Sequence, residues 1–162
     1  YIAGFHWALD FGADLIFEMD ADLSHDPQML PHFLQAIEGC DLVLGSRYVP
    51  GGGVTDWGRG RRLISRGGSL YARAILGIPV NDLTGGFKCF NRRVLERLDL
   101  TGIDADGYGF QIEMTYRAIK AGFTVEEVPI LFRDRRVGSS KMSARIAVEA
   151  FWKVPLLRLR SR

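Results

Sequence analysis

The chain has 162 residues, 47% of them hydrophobic and 25% charged, with a formal net charge of +2. That is enough to bury one core and describes an ordinary globular domain. Asp10 and Asp14 interrupt any signal-peptide core, and no uninterrupted apolar stretch approaches the length of a membrane span. Cys40 and Cys89 lack a CxxC spacing or a Cys/His cluster, so buried, reduced thiols are expected rather than a disulfide or a zinc site.

The chain has no initiating Met, and Tyr1 opens directly into the amphipathic pattern "YIAGFHWALDFGADLIF". An element already under way is the natural reading, which suggests a fragment lacking its N-terminal part. A first helix is expected over Ile2 to Phe11, ended by Gly12, and a short buried strand over Leu15 to Met19. Asp26 can cap the next helix with Pro27 at its first position, since Leu30, Phe33, Leu34 and Ile37 recur at helical spacing. Asp41 to Ser46 reads as a second apolar strand. In the following "RYVPGGGVTDWGRGRR" the glycines speak against regular structure and for a mobile loop. A helix is expected from about Arg62 to Leu76, a strand in "LTGGFKCFN", and helices over Arg92 to Leu98 and Phe110 to Ala121. "FTVEEVPILF" is a further strand, with Pro129 marking an edge or bulge. Strands alternating with helices predict an α/β sandwich with a mainly parallel sheet, whose ligands bind beyond the carboxyl ends of the strands.

Asp20 and Asp22, in "LIFEMDADLSHDP", stand at such an end. Side chains alternate along an extended chain, so both point to one side. At about 4 Å and an effective dielectric near 20, their repulsion is roughly 4 kcal/mol, which calls for a cation or a shared proton. Mg²⁺ or Mn²⁺ takes oxygen ligands from one or two carboxylates and completes its shell with phosphate oxygens. Loop capping would also place Asp here, and phosphatases of the haloacid-dehalogenase type use D-x-D with the first Asp as nucleophile. Those need a Lys, for which Lys141 is available, and a later acidic pair, for which this sequence offers no D-D or G-D-x-x-x-D string. His25, in "SHDP", reads as a loop histidine near a cap, and Trp7, Trp57 and Trp152 as packing residues.

Between Asp56 and Asp82 there is no acidic residue, while Arg59, Arg61, Arg62, Arg66 and Arg73 all fall there. Arginine alone suits phosphate, an anionic membrane surface or a solvated helix face. The C-terminal "ARIAVEAFWKVPLLRLRSR" places Ile146, Ala150, Val154 and Leu157 near one helical face. That suits either a helix lying in a membrane interface or ordinary docking on the domain. The expected division is a partial catalytic domain over residues 1–142 and this helix over residues 143–162.

Taken in order, "EMDADLSHDP", "LGSRYVPGG", "RRLISRGG", "NDLTGGFK", "GYGFQIEM", "EVPILFRDR" and "GSSKM" resemble the dolichol-phosphate mannose synthases, inverting polyprenyl-phosphate glycosyltransferases of GT-A fold. The resemblance runs from Tyr1 to about Trp152. The family's usual N-terminal segment, with its first strand and much of the base pocket, is not in this sequence. The resemblance implies transfer of mannose from GDP-mannose to a polyprenyl (dolichyl) monophosphate, assisted by Mg²⁺ or Mn²⁺, at the cytoplasmic face of a membrane and with no nucleic acid involved. It implies Asp20, Asp22 and, through water, Ser24 at the metal. Asp20, Ala21, Asp22, Gln111, Arg135 and Lys141 would hold the donor, Arg47, Arg61 and Ser65 the acceptor phosphate, and Asp22, Arg47 and Arg135 would act in catalysis. Asp82 would meet sugar hydroxyls or cap its turn. Alternatives are a related transferase using UDP-glucose or another sugar nucleotide, and a non-catalytic GT-A remnant.

Overall fold

The computed structural model describes residues 1–103, 107–134 and 144–160, the last segment by backbone alone at 144–150 and 160. Helix α1 (Ile2–Asp10) leads into β1 (Leu15–Glu18). A 3₁₀ turn (Pro27–Met29), capped by the Asp26 carboxylate on the Gln28 amide at 3.0 Å, starts α2 (Leu30–Ala36). Then come β2 (Leu42–Ser46), β3 (Gly53–Val54), α3 (Arg59–Leu76), β4 (Lys88–Asn91), α4 (Arg92–Arg97), α5 (Tyr108–Lys120), β5 (Val125–Pro129), β6 (Leu131–Phe132) and α6 (Ala144–Arg160). Gly77, left-handed at φ 69°, closes α3, a conformation that costs a residue with a Cβ about 1 kcal/mol or more.

The main sheet has the order β1-β4-β2-β5. Strand β4 is antiparallel to both β1 and β2, and β2 is parallel to β5. Three strands therefore run the same way, and β4 is threaded between them in reverse. The carboxyl ends of β1, β2 and β5 share one edge with the amino end of β4.

Both faces are covered, as an α/β sandwich requires. In β2, Leu42 and Leu44 face a core with Phe5, Ile16, Phe90 and Met114. Val43 turns to the opposite core, with Phe33, Phe87, Cys89 and Ile130. Cys40 and Cys89 are buried free thiols.

Three expectations change. The glycine-rich loop does carry a strand, because Gly53 and Val54 pair in parallel with Leu131 and Phe132. Helix α3 begins at Arg59, half a turn or more before Arg62. The single strand read across Pro129 is two strands in two sheets: Pro129 closes β5 opposite Ser46, and Leu131 begins β6 in the small sheet. Helix α6 docks on α3. The Tyr71 hydroxyl donates to the Phe151 carbonyl at 2.9 Å, the two rings stack at 4.7 Å, and Val154 enters the first core. Pro155 lies inside this helix without ending it.

Candidate active site

The acidic loop leaves β1 at Glu18 and bends over residues 21–23, with Leu23 at a left-handed φ of 65°. Asp20 stands just before this bend and Asp22 within it, each held by its own hydrogen bonds. The Tyr1 hydroxyl donates to Asp20 Oδ1 at 3.0 Å, and the Asp20 amide donates to His25 Nδ1 at 3.0 Å. Ser24 donates its hydroxyl to Asp22 Oδ1 at 2.5 Å and its amide to the same oxygen at 3.1 Å. Ser24 is buried, so it meets the site through Asp22 and does not present its hydroxyl independently.

Burial raises the Tyr1 phenol pKa well above its ordinary value, and the charges of Asp20, Glu18 and Asp22 add to this. Burial also lowers the His25 pKa, against the pull of both aspartates. His25, expected as a loop histidine near a cap, is buried: it stacks on Phe87 at 4.9 Å and meets Phe132 edge-on at 5.4 Å. Among the described residues, no three His, Cys, Asp or Glu side chains cluster as a complete metal site. Two carboxylates with a concentrated negative field fit a hard divalent cation whose other ligands come from substrate oxygens.

Arg47, at the carboxyl end of β2, is buried and paired. Its Nε and Nη2 donate to the two Asp82 carboxylate oxygens at 2.6 and 2.7 Å, its amide to Oδ2 at 3.0 Å, and Nη2 also to Thr84 Oγ1 at 2.8 Å. The neighbouring guanidinium outweighs burial and holds the Asp82 carboxyl below the usual carboxylate range. Of the two expectations for Asp82 the turn cap is the one the contacts match: besides Arg47, its carboxylate accepts from the Thr84 hydroxyl at 3.4 Å and from the Thr84 backbone amide, so it is turned inward rather than open to sugar hydroxyls. Glu127 of β5 fixes the same loop, accepting from the Asn81 amide at 2.8 Å and the Asp82 amide at 2.9 Å.

Gln111 lies in α5, buried behind the acidic loop. Its Nε2 donates to Glu18, while the Lys88 ammonium donates to its Oε1 at 2.5 Å and its carbonyl at 2.9 Å. Burial pushes the Glu18 carboxyl up and brings Lys88 down to about 8. In this arrangement the Gln111 side chain is held within the protein at both its amide oxygen and its amide nitrogen.

On α3, Arg61 Nη1 donates to both Asp134 oxygens at 2.9 Å, and its guanidinium covers the Trp57 ring at 4.2 Å. Among the described residues, the buried donors Trp57 Nε1 and Arg61 Nε have no hydrogen-bond partner. One turn on, Ser65 Oγ accepts the Tyr48 hydroxyl at 2.7 Å. Ser65 opens on a cavity of ≈ 280 Å³ walled mainly by apolar groups, among them Ile64, Tyr71, Ile112, Phe151 and Val154. Leu63, Leu70, Trp152 and Leu159 are exposed on α3 and α6.

The structure thus brings Asp20, Ala21, Asp22 and Ser24 into one turn, and places Arg47, Arg61 and Ser65 around Tyr48 and Trp57. Arg135 and Lys141 lie outside the described residues. Sequence reasoning missed Tyr48, Thr84, Glu18, Lys88 and Glu127. Only the unusual Glu18, a charge inside an apolar strand, gave a signal. Each of the others has a partner 17 or more residues away in the chain: Tyr48 with Ser65, Thr84 with Arg47, Lys88 with Gln111, and Glu127 with Asn81.

A family model described as glycosyl transferase family 2 matches residues 4–99. The chain is 46% identical over 162 residues to the undecaprenyl-phosphate mannosyltransferase of Micrococcus luteus, spanning all of this chain and 67% of that protein. It is 47% identical over 163 aligned positions to the polyprenol monophosphomannose synthase of Mycolicibacterium smegmatis, spanning all of this chain and 62% of that protein. Among solved structures it is similar to glucosyl-3-phosphoglycerate synthase of Mycobacterium tuberculosis, at a TM-score of 0.60 and 17% identity over 97% of this chain and 53% of that one. The same enzyme in complex with Mn²⁺, UDP-glucose and phosphoglyceric acid gives 0.58 at 17% identity, over 95% and 52%. At that identity the likeness carries the fold alone. The chain spans about two thirds of its curated relatives and about half of these structures.

Proposed function

The chain belongs to glycosyl transferase family 2 and has the GT-A fold, and from that premise we propose that it forms part of an enzyme transferring mannose from GDP-mannose to a polyprenyl monophosphate, with inversion at the anomeric carbon. The observation that carries this reading is an apolar cavity lined by Ser65, which stands one helical turn from Arg61 and is bonded to Tyr48 just beyond the carboxyl end of β2, as Asp20 and Asp22 stand just beyond that of β1. A lipid phosphate needs that combination of apolar wall, cation and hydroxyl. Identity near one half to two relatives named for polyprenyl-phosphate mannosyl transfer supports it.

The acceptor phosphate is already ionised at neutral pH, so no side chain has to remove a proton to make the nucleophile. Arg61 and Ser65 hold that phosphate, which requires Arg61 to exchange Asp134 for substrate. Arg47 shapes this side of the site from within its pair with Asp82 and makes no direct phosphate contact. Asp20 and Asp22 would hold Mg²⁺ or Mn²⁺, which when bound would offset charge on the departing nucleoside diphosphate. Ser24 and Tyr1 keep the two carboxylates in place. Arg135 and Lys141 are assigned to the donor diphosphate on the strength of the motif alone.

Among the described residues no helix is long and apolar enough to cross a membrane. The exposed Leu63, Leu70, Trp152 and Leu159, with the arginines of α3, suit a face laid against a lipid surface. The test is transfer of labelled sugar to undecaprenyl phosphate by the whole gene product, offered GDP-mannose or UDP-glucose with Mn²⁺. Mannosyl lipid from GDP-mannose is expected. Use of UDP-glucose in its place would overturn the donor assignment, and transfer to soluble phosphates but not to lipid would overturn the acceptor.

A further inference from the structure

Tyr48 follows Arg47 at the carboxyl end of β2 and is braced on both sides. The Arg47 guanidinium lies 5.3 Å from the centre of its ring, and its hydroxyl donates to Ser65 Oγ at 2.7 Å. Arg47 is itself locked by Asp82 and Thr84, so the phenol is held by the same lattice that fixes the sheet edge. Ser65 is buried and lines the cavity together with Thr84 and Tyr108.

A serine hydroxyl carries one proton and two lone pairs. The phenol, the better acid of the two, fills one lone pair, which leaves the Ser65 proton for a partner other than Tyr48, and the cavity that Ser65 lines is where a phosphate would meet it. Without Tyr48, Ser65 would be free to turn that proton to a carbonyl of the preceding helical turn, as serines within helices do.

We infer that Tyr48 is a positioning residue for acceptor binding: by donating to Ser65 it sets the serine hydroxyl as a hydrogen-bond donor to the phosphate of the polyprenyl acceptor. This rests on the reading of Arg61 and Ser65 as the acceptor-phosphate site.

Tyr48→Phe keeps the ring against Arg47 and removes only the donor. It is expected to raise the apparent KM for lipid phosphate about threefold to tenfold, leaving kcat and the KM for the sugar nucleotide unchanged. Ser65→Ala should do the same, and the double variant should be no worse than Ser65→Ala alone. Binding provides a second readout. Tyr48→Phe should weaken a short-chain polyprenyl phosphate and leave the corresponding polyprenol unaffected. If Ser65→Ala raises the acceptor KM while Tyr48→Phe does not, or if the two effects add, the inference fails and the acceptor site stands. If Ser65→Ala leaves the acceptor KM unchanged, the acceptor reading at Ser65 fails and the inference with it. Equal loss of phosphate and alcohol would mean a damaged cavity and would also refute it.

Discussion

Replacing Asp82 by Asn keeps the volume and the backbone bonds to Glu127 but leaves the Arg47 guanidinium buried beside a neutral amide. Asp82 receives Nε and Nη2 at 2.6 and 2.7 Å, with side-chain exposures of 5% for Arg47 and 0% for Asp82. At that depth neither ion recovers its hydration when the other is removed. Two charge-assisted bonds at about 1.5–3 kcal/mol each, or the cost of orphaning one ion of a buried pair, put the loss at about 3–5 kcal/mol. That is a large share of a domain's usual 5–15 kcal/mol, on the order of the whole margin for a small one. Urea unfolding followed by tryptophan fluorescence measures it, and Trp57, 5.5 Å from the guanidinium, reports on the site directly. The double variant Arg47→Met, Asp82→Leu should recover most of the loss, because an apolar pair removes both desolvation costs. The sign in pH follows from the lowered Asp82 pKa. The pair's contribution is fully present above about 3.8, the ordinary value, and is lost as pH falls through the still lower folded value. A loss under about 1 kcal/mol for Asp82→Asn, or strict additivity in the double variant, would refute the reasoning.

Asp20→Asn and Asp22→Asn should each weaken Mn²⁺-dependent GDP binding and nearly abolish transfer. Unchanged calorimetric binding in both would remove the metal assignment. Arg61→Ala should raise the KM for lipid phosphate more than that for GDP-mannose, and equal effects would indicate a general defect. Burial pushes the Cys89 thiol up to about 12, so neither cysteine should react with a thiol reagent at neutral pH until the chain is unfolded. Rapid labelling of the native protein would contradict the packing of the second core. Trp152→Ala with Leu159→Ala, which spares the buried Val154, should reduce salt-sensitive sedimentation with anionic liposomes. Undiminished binding would place the contact on the arginines of α3.

The alternation of apolar segments and turn residues made most elements legible, because each is decided by its own few residues. The run "DLVLGS" read as an apolar strand, and β2 is a strand buried along its whole length. What escaped was decided by distant partners. Gly53 and Val54 are a strand only because Leu131 and Phe132 lie alongside. The residue types of the site were legible in order along the chain, but their mutual commitments were not. Arg47 read as a phosphate group's partner and Asp82 as a sugar contact or a turn cap, and nothing in their spacing showed that they form one buried pair. The bend over residues 21–23 and the left-handed Leu23 just after the D-x-D string had no signal in the residue types.

The reversed direction of β4 makes the segment from Asn81 to Lys88 a strap tied at both ends. Glu127 and Arg47 grip it at Asn81 and Asp82, while the register Glu18↔Lys88 fixes its far end beside the acidic loop. Little slack remains between them. A Cβ on Gly85 would stand 3.1 Å from the Gly45 carbonyl, with Gln111 3.4 Å from one on Gly86. Lengthening the strap by one residue would therefore shift the arginine side and the carboxylate side together. By contrast, α1 ends and α4 begins at the opposite edge of the sheet, where insertions would leave both sides untouched. For anyone redesigning acceptor or donor preference on this scaffold, chain length is fixed in the approach to β4 and open at its exit.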